Sequence, residues 1–410
     1  MKMNGDERIV AALDIGASGI RAMICQVFED DSIYSLGSGV APADGIRRGV
    51  IVNMDKVTRS ISTAVSEAEA MANVTIDSIL VGLSGEHIRS FDSQGVVNVS
   101  RSDNEISMSD VQRALDTARD VVIPPDREII HVIPKAYAVD DLFGVRNPIG
   151  MSGRRLEVDA HVVTAASSTV KNIFRAFERC DLRLGGMALE SVAACHSALT
   201  ETEQELGVAL IDLGGDTTEL AVCSAGCVCY TGSVPLGGQN VTNDIAIGLR
   251  TTVEEAERLK LNHGLALAAQ ARPSEMMEVK AVGGRPSRQI ARSVLSTIIE
   301  ARMEEIFTLV GHELRRSDQR DNLAGGVTLI GGCALLPGIV DLAEQILNLP
   351  AKVAHPCGVE NMPEALEAAD AATLQGLTIY AIENELTAGS GGRGFGSIIK
   401  KVENWITGQF

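Results

Sequence analysis

Two aspartates carry the first chemistry of this chain. Asp14 follows the apolar run Ile9-Val10-Ala11-Ala12-Leu13 and opens Ile15-Gly16-Ala17-Ser18-Gly19. Asp212 follows Val208-Ala209-Leu210-Ile211 and opens Leu213-Gly214-Gly215-Asp216-Thr217-Thr218. Each run reads as a buried strand with its carboxylate at the end, and the glycines let a tight turn present backbone N–H groups to an anion. Two such hairpins facing each other would clamp the phosphates of a nucleotide. Carboxylates repel phosphate, so a divalent cation is expected between them, and Mg²⁺ is the expected ion.

A third glycine-rich element, Ile330-Gly331-Gly332-Cys333-Ala334-Leu335-Leu336-Pro337-Gly338, closes a strand and opens a helix. Paired glycines let a flat base or sugar approach the backbone; one such pair alone reads as a turn, but here it completes an ordered set. Glu257 and Lys260 lie one turn apart on a helix expected to begin near Thr252. They could hold ribose and adenine, or stand as an ordinary solvated pair.

These residues need elements to position them. Strand-like runs at 9–13, 20–27 and 33–40 precede a helical stretch from Asp55 to Met71, where Ile61, Ala64, Val65, Ala68 and Met71 fall at helical spacing. Ile79-Leu80-Val81-Gly82-Leu83 is another buried strand. From about Glu86 to Asp159 alternating strands surround a polar helix at Ser109 to Arg119, with proline punctuation at Ile123-Pro124-Pro125 and Ile133-Pro134. This reads as an inserted subdomain, after which Val162-Val163-Thr164-Ala165-Ala166 is expected to resume the main sheet. Beyond Thr231 the chain reads as helical until Leu323 to Ile330 returns to a strand. A nucleotide core interrupted by insertions is bilobal.

The bulk numbers bound the possibilities. At 410 residues and 45% hydrophobic content, two domains are expected. A net charge of −18 excludes general nucleic-acid binding, and 3% aromatic residues leave few platforms for base stacking. No secretory signal is visible and no run reaches the roughly 20 apolar residues of a membrane span, so the chain is expected to begin in the cytosol. Of eight cysteines, Cys223, Cys227 and Cys229 sit on two strands around a Ser224-Ala225-Gly226 turn. They read as small apolar residues rather than a metal cluster, for which the paired ligand spacing is missing.

In order along the chain, Asp14 to Arg21, Glu190, Asp212 to Thr218 and Gly331 to Gly338 resemble the two phosphate loops, hinge glutamate and adenosine loop of the actin-like ATPase superfamily. Within it, Ser84-Gly85-Glu86-His87-Ile88, Ile129-Ile130-His131-Val132-Ile133-Pro134, Asn147-Pro148-Ile149-Gly150-Met151-Ser152-Gly153 and Val282-Gly283-Gly284-Arg285-Pro286 resemble the FtsA branch of bacterial cell-division proteins. The resemblance implies an α/β, bilobal actin-like fold of two ribonuclease-H-like cores with the FtsA-type insertion and a C-terminal amphipathic helix. It divides the chain into subdomain 1A (1–85 with 162–195 and 360–386), the insertion 1C (86–161), 2A (196–235 with 306–359), 2B (236–305), a linker (387–394) and a membrane-targeting helix (395–410).

The same resemblance implies ATP with Mg²⁺ as cofactors and at most slow ATPase activity. Asp14 and Asp212 would organise the metal through water, with Gly16, Ser18, Gly19, Arg21, Gly214, Gly215, Thr217 and Thr218 around the phosphates and Glu257, Lys260, Gly331, Gly332 and Leu335 around the nucleoside. Glu190 matches a hinge position that holds a water-positioning side chain in related ATPases; a base there could support hydrolysis, the alternative being a hinge or N-cap carboxylate. Asp216 stands where relatives usually have a third glycine, and Ala17 lacks a hydroxyl common in the first loop. Implied partners are the C-terminal peptide of FtsZ, further copies of the chain in an actin-like protofilament, anionic lipid, and later cell-division proteins through residues 86–161. The implied location is the cytoplasmic face of the inner membrane at the septum, peripherally bound.

Two segments bear on those partners. Between Lys280 and Arg302 stand Lys280, Arg285, Arg288, Arg292 and Arg302 against one acid, Glu300. A solvated helix face explains such a run, while the resemblance makes Arg285, Arg288, Arg292 and Arg302 the surface for the acidic FtsZ peptide. At the C-terminus, Thr387-Ala388-Gly389-Ser390-Gly391-Gly392-Arg393-Gly394 is a flexible linker reaching on the order of 16 Å. Beyond it Phe395, Ile398, Ile399, Val402, Trp405, Ile406 and Phe410 recur at steps of three and four, with Lys400 and Lys401 on the other face. That pattern suits interfacial insertion into anionic lipid, multiplied by polymerisation. Two rival classes share the fold: a small-molecule kinase, which would need an acceptor pocket, and a pilus-assembly ATPase scaffold.

Overall fold

The computed structural model describes residues 8–281 and 286–384. Two five-stranded sheets form its frame, and they share one topology. In the first lobe, Arg8–Ile15 is central, pairing in parallel with Ser78–Leu83 and antiparallel with Ile20–Val27; Arg183–Leu189 and Ile33–Ala41 form the edges. In the second lobe Val208–Leu213 is central, flanked by Val327–Ile330 in parallel and Thr218–Ser224 antiparallel, with Ala351–Val353 and Cys227–Val234 at the edges. Every residue of Ser78–Leu83, Val208–Leu213 and Val327–Ile330 is buried, as expected of strands covered on both faces.

Helices cover the sheets. Met54–Ala72 starts where the Asn53 side chain accepts the Lys56 N–H and stops at a left-handed Asn73; Val57, Ile61, Ala64, Val65 and Ala68 are buried along one stripe. Fully burying each larger aliphatic side chain on this stripe contributes roughly 1.5–3 kcal/mol. Arg292–Arg316 serves the second lobe, burying Leu295, Ile299, Met303, Ile306, Phe307 and Val310. Helix Glu190–Ala198 packs on Ala372–Glu383, and an apolar seam containing Ala194, Cys195, Leu210, Cys223, Ile330 and Ala372 joins the lobes there.

The insertion has its own sheet, in the order Arg89–Asn98, Arg155–Ala166, Arg127–Val139, Leu142–Val145, with helix Met108–Arg119 packed over it. Its core includes Ile106, Val111, Leu115, Tyr137, Leu156 and Val158.

Three sequence expectations change. Residues 162–166 belong to the inserted sheet, paired with 89–91 and 127–132, and the first-lobe sheet resumes only at Arg183. Val163 and Ala165 nevertheless bury their side chains in the first-lobe core, which is why the run looks like a core strand. The strand expected from Leu323 begins at Val327, because Leu323 to Gly326 form a turn closed by a Gly326 N–H to Leu323 C=O bond of 3.0 Å. The stretch beyond Thr231 also contains a hairpin, Met276–Val279 against Arg288–Ala291, whose four-residue strands are too short for a visible period. The Cys223 to Cys227 hairpin forms as expected, and the eight cysteines are free thiols. Among the described residues no helix is long and apolar enough to cross a membrane. The expected linker and the expected helix at 395–410 lie outside the described residues.

Candidate nucleotide cleft between the lobes

Both glycine loops arise at the tips of hairpins made by the two central strands. In the first, Asp14 pairs across the hairpin with Arg21; in the second, Asp212 pairs with Glu219. The tips face each other closely: a β-carbon at Gly215 would lie 3.2 Å from the Ala17 Cβ. Asp14 and Asp212 therefore sense one another. Loss of water in the cleft pushes the Asp14 carboxyl up to about 6, Arg21 opposes this, and the charges of Asp212 and Asp370 add to it. Asp212 is raised as well, first by burial, with the Thr373 hydroxyl counteracting by donating to its Oδ2 at 3.0 Å.

Glu190 is close enough to both aspartates to feel their charge. It begins its helix and is 5% exposed, its Oε1 has no hydrogen-bond partner, and a β-carbon at Gly82 would sit 2.7 Å from that oxygen. Burial and then the charge of Asp14 raise its pKa well above the ordinary carboxylate value, while a bond from Ser84 acts against the rise. The turn into this helix is fixed from the insertion, where buried His131 Nε2 accepts the Leu189 N–H at 2.8 Å. A buried, half-satisfied carboxyl that feels two others is a group set up for water or a cation rather than for stability.

These acids suit a divalent cation in one respect. No group of three His, Cys, Asp or Glu side chains among the described residues could hold a metal ion directly. Two carboxylates acting through water beside phosphate oxygens are the ordinary setting of Mg²⁺, which keeps several waters.

Two of the expected nucleoside residues, Gly331 and Lys260, connect to the second loop. Gly331, at φ +86°, runs so close to the second loop that a β-carbon would fall 2.3 Å from Asp212 Oδ1. Gly332 is open, with nothing within 4 Å, and Leu335 is exposed. Buried Lys260 donates to Thr242 Oγ1 at 2.8 Å and to the Gly238 carbonyl at 3.2 Å, and pairs with Glu257 at 2.8 Å. Gly238 in turn donates its N–H to the Gly214 carbonyl at 2.9 Å. Gly238 thus links the Lys260–Glu257 pair to the second loop, while Ser18 is exposed and Gly16, Gly19, Thr217 and Thr218 belong to the two loops.

Other residues fall differently. Arg21 spends its guanidinium on Asp370, bonding its Oδ2 at 2.9 Å and its carbonyl at 2.7 Å. The basic segment is a distinct surface and is internally paired: Arg292 binds Glu275 at 2.9 Å, Arg302 binds Asp244 at 2.5 Å and also Glu305, and Arg288 donates to the Leu249 carbonyl. Of these, Arg288 is exposed. Arg285 and the residues Phe395 to Phe410 lie outside the described residues. Sequence reasoning missed Asp370, Thr373, Glu219 and Gly238. Only Gly238 had a readable signal, the Gly237-Gly238 pair after a strand.

Comparisons with known proteins bear on the family and the fold. A family model described as Cell division protein FtsA matches residues 209–376, and one described as SHS2 domain inserted in FTSA matches residues 85–164. Proteins named Cell division protein FtsA from Neisseria meningitidis and Pseudomonas aeruginosa are 38% and 37% identical, covering 100% and 98% of this chain and the same shares of their own. One from Bacillus subtilis is 39% identical over 86% of this chain and 80% of its own. Among solved structures, a PilM–PilN type IV pilus biogenesis complex aligns with TM-score 0.64 at 16% identity, over 91% of this chain and 98% of its own. MreB5 of Spiroplasma citri bound to ADP aligns at 0.55 and 16%, over 97% and 99%. The fold is that of the actin-like ATPases.

Proposed function

This chain belongs to the FtsA family of cell-division proteins, and from that premise we propose that it binds ATP with Mg²⁺ between its lobes, assembles into filaments, and anchors the FtsZ ring to the cytoplasmic membrane. The observation that carries the nucleotide reading is the convergence of Asp14, Asp212 and the half-satisfied Glu190 under two facing glycine loops. Asp14 and Asp212 would hold the metal through water, and the bound ion would supply charge neutralisation for the phosphates. Gly16, Ser18, Gly19, Gly214, Gly215, Thr217 and Thr218 border the phosphate space, whereas Arg21 acts mainly by fixing Asp370. Gly331, Gly332, Leu335, Lys260 and Glu257 border the nucleoside, with Lys260 holding Thr242 and Gly238 in place. Glu190 is the group to orient a water at the far end of the phosphates, since it is buried beside Asp14 and Asp212 with one carboxyl oxygen unbonded.

Membrane attachment rests on the tail spacing at 395–410, and FtsZ recognition on the basic segment around Arg288. The insertion is the surface for later division proteins. Electron microscopy of the full chain on a lipid monolayer, with and without Mg·ATP, tests the whole reading. Filaments on anionic lipid that require ATP are expected, and removing residues 395–410 is expected to abolish lipid attachment while leaving ATP binding, by calorimetry, unchanged. Arg288→Glu is the cleaner probe of peptide binding than Arg302→Glu, because Arg302 is already held by Asp244 and Glu305. A severalfold weaker FtsZ-peptide affinity with unchanged ATP affinity is expected; equal peptide affinity removes that assignment.

A further inference from the structure

The second hairpin carries two carboxylates that the nucleotide reading leaves idle. Asp216 Oδ2 accepts the backbone N–H of Arg48 at 2.8 Å. Three residues on, Glu219 Oε1 accepts the N–H of Gly85 at 2.9 Å and the Ser233 hydroxyl at 3.1 Å. Arg48 and Gly85 both belong to the first lobe, so each bond joins the two lobes.

Their landing pad is one stiff piece. A β-carbon at Gly49, φ +73°, would meet the Ser84 carbonyl oxygen at 1.9 Å, and one at Gly85, φ +120°, would meet the Arg48 carbonyl oxygen at 2.4 Å. Two left-handed turns are thus interlocked at van der Waals contact, and an ion pair of 2.7 Å between Arg48 and Glu86 ties them again. On the other side, Asp216 and Glu219 ride on a single hairpin, whose strand Thr218–Ser224 is buried to Cys223. A buried acid oxygen is costly to leave without its N–H partner, and Glu219 is 4% exposed, so parting the lobes at this point would have to give up these bonds. The first of them also explains how an acid is tolerated beside the phosphate loop, since its carboxylate is turned to the opposite lobe.

We propose that Asp216 and Glu219 form an interlobe latch that holds the cleft closed before nucleotide arrives, so that latch opening governs how fast nucleotide enters and leaves. The exchange consequence rests on the nucleotide reading above; the latch itself does not.

The test uses the full chain without nucleotide. Amide hydrogen exchange is followed at Arg48 and Gly85 for the wild type, Asp216→Ala and Asp216→Asn, with Glu219→Gln as a second site. Asp216→Ala is expected to speed exchange at Arg48 about tenfold, a loss of about 1.4 kcal/mol, and Asp216→Asn, which keeps an acceptor oxygen, by less. Unchanged exchange at Arg48 in Asp216→Ala overturns the latch, whatever the nucleotide data show. Release of a fluorescent ADP from the loaded Asp216→Ala protein is expected to be severalfold faster, and release at the wild-type rate overturns the gating role. A protein that takes up no nucleotide while its Arg48 amide responds as expected would defeat the function proposed above and leave the latch standing.

Discussion

The two hairpins at the heart of this molecule share a backbone plan and differ in charge. Each central strand ends in an aspartate, turns through glycines and returns antiparallel, yet the residue opposite Asp14 is Arg21 while the residue opposite Asp212 is Glu219. In the first hairpin a cation lies beside the carboxylate and is anchored by Asp370, moderating the rise that desolvation imposes on Asp14. In the second, two acids stand side by side, burial pushes Glu219 up to about 7, and hydroxyls from Thr373 and Ser233 stand in for the missing cation. Duplicated topology therefore does not mean duplicated chemistry. The first tip pairs its acid with a cation that limits the rise, and the second turns its acids to bonds with the opposite lobe.

The contrast can be broken at several points. The largest expected effect comes from the shared feature: Asp14→Ala and Asp212→Ala should each weaken Mg·ATP binding about 100-fold, roughly 3 kcal/mol, with far less effect on ATP in excess chelator. Calorimetry with and without Mg²⁺ reads this directly. Next is Gly331→Val, which forces a β-branched residue into a left-handed backbone against Asp212 and should cost about 2 kcal/mol in thermal or denaturant unfolding, besides weakening nucleotide binding.

The pH response sharpens the electrostatic difference. Asp14 holds its proton up to about 6 in the folded chain against 3.8 ordinarily, and Glu219 up to about 7 against 4.5. Between those values the folded state binds protons that the unfolded state has released, so this contribution to stability is complete below the lower values and lost as pH rises through 6 to 7. Urea midpoints of the nucleotide-free protein should accordingly fall between pH 5 and 7.5, and Arg21→Met should move the fall to higher pH by removing the opposing cation. Smallest is Lys260→Met, for which a several-fold loss of ATP affinity is expected, because the pocket wall of Thr242 and Gly238 loses its brace rather than its shape.

Much of the architecture could be read directly. Buried strands at 9–13, 79–83 and 208–211 are short apolar runs near glycine, and the helix read from Asp55 to Met71 shows its period plainly and is found at Met54–Ala72. Residues 162–166 misled because a strand can pair in one sheet and bury its side chains in the core of another, and apolar content reports only the burial. Asp370 and Thr373 escaped because they lie more than 150 residues from Asp212 and belong to no local pattern.

What the residues alone determine is chemistry of short range: which turns need glycine, which carboxylates end a strand, and hence that two anion-facing loops exist. Whether those loops meet, and which partner each acid receives, depends on how two separately folded sheets are brought together by the seam of Ala194, Cys195, Leu210 and Ala372. Coulomb interactions and hydrogen bonds act through space over a few ångströms. Residues 48 and 216 are therefore strangers along the chain and partners in the fold.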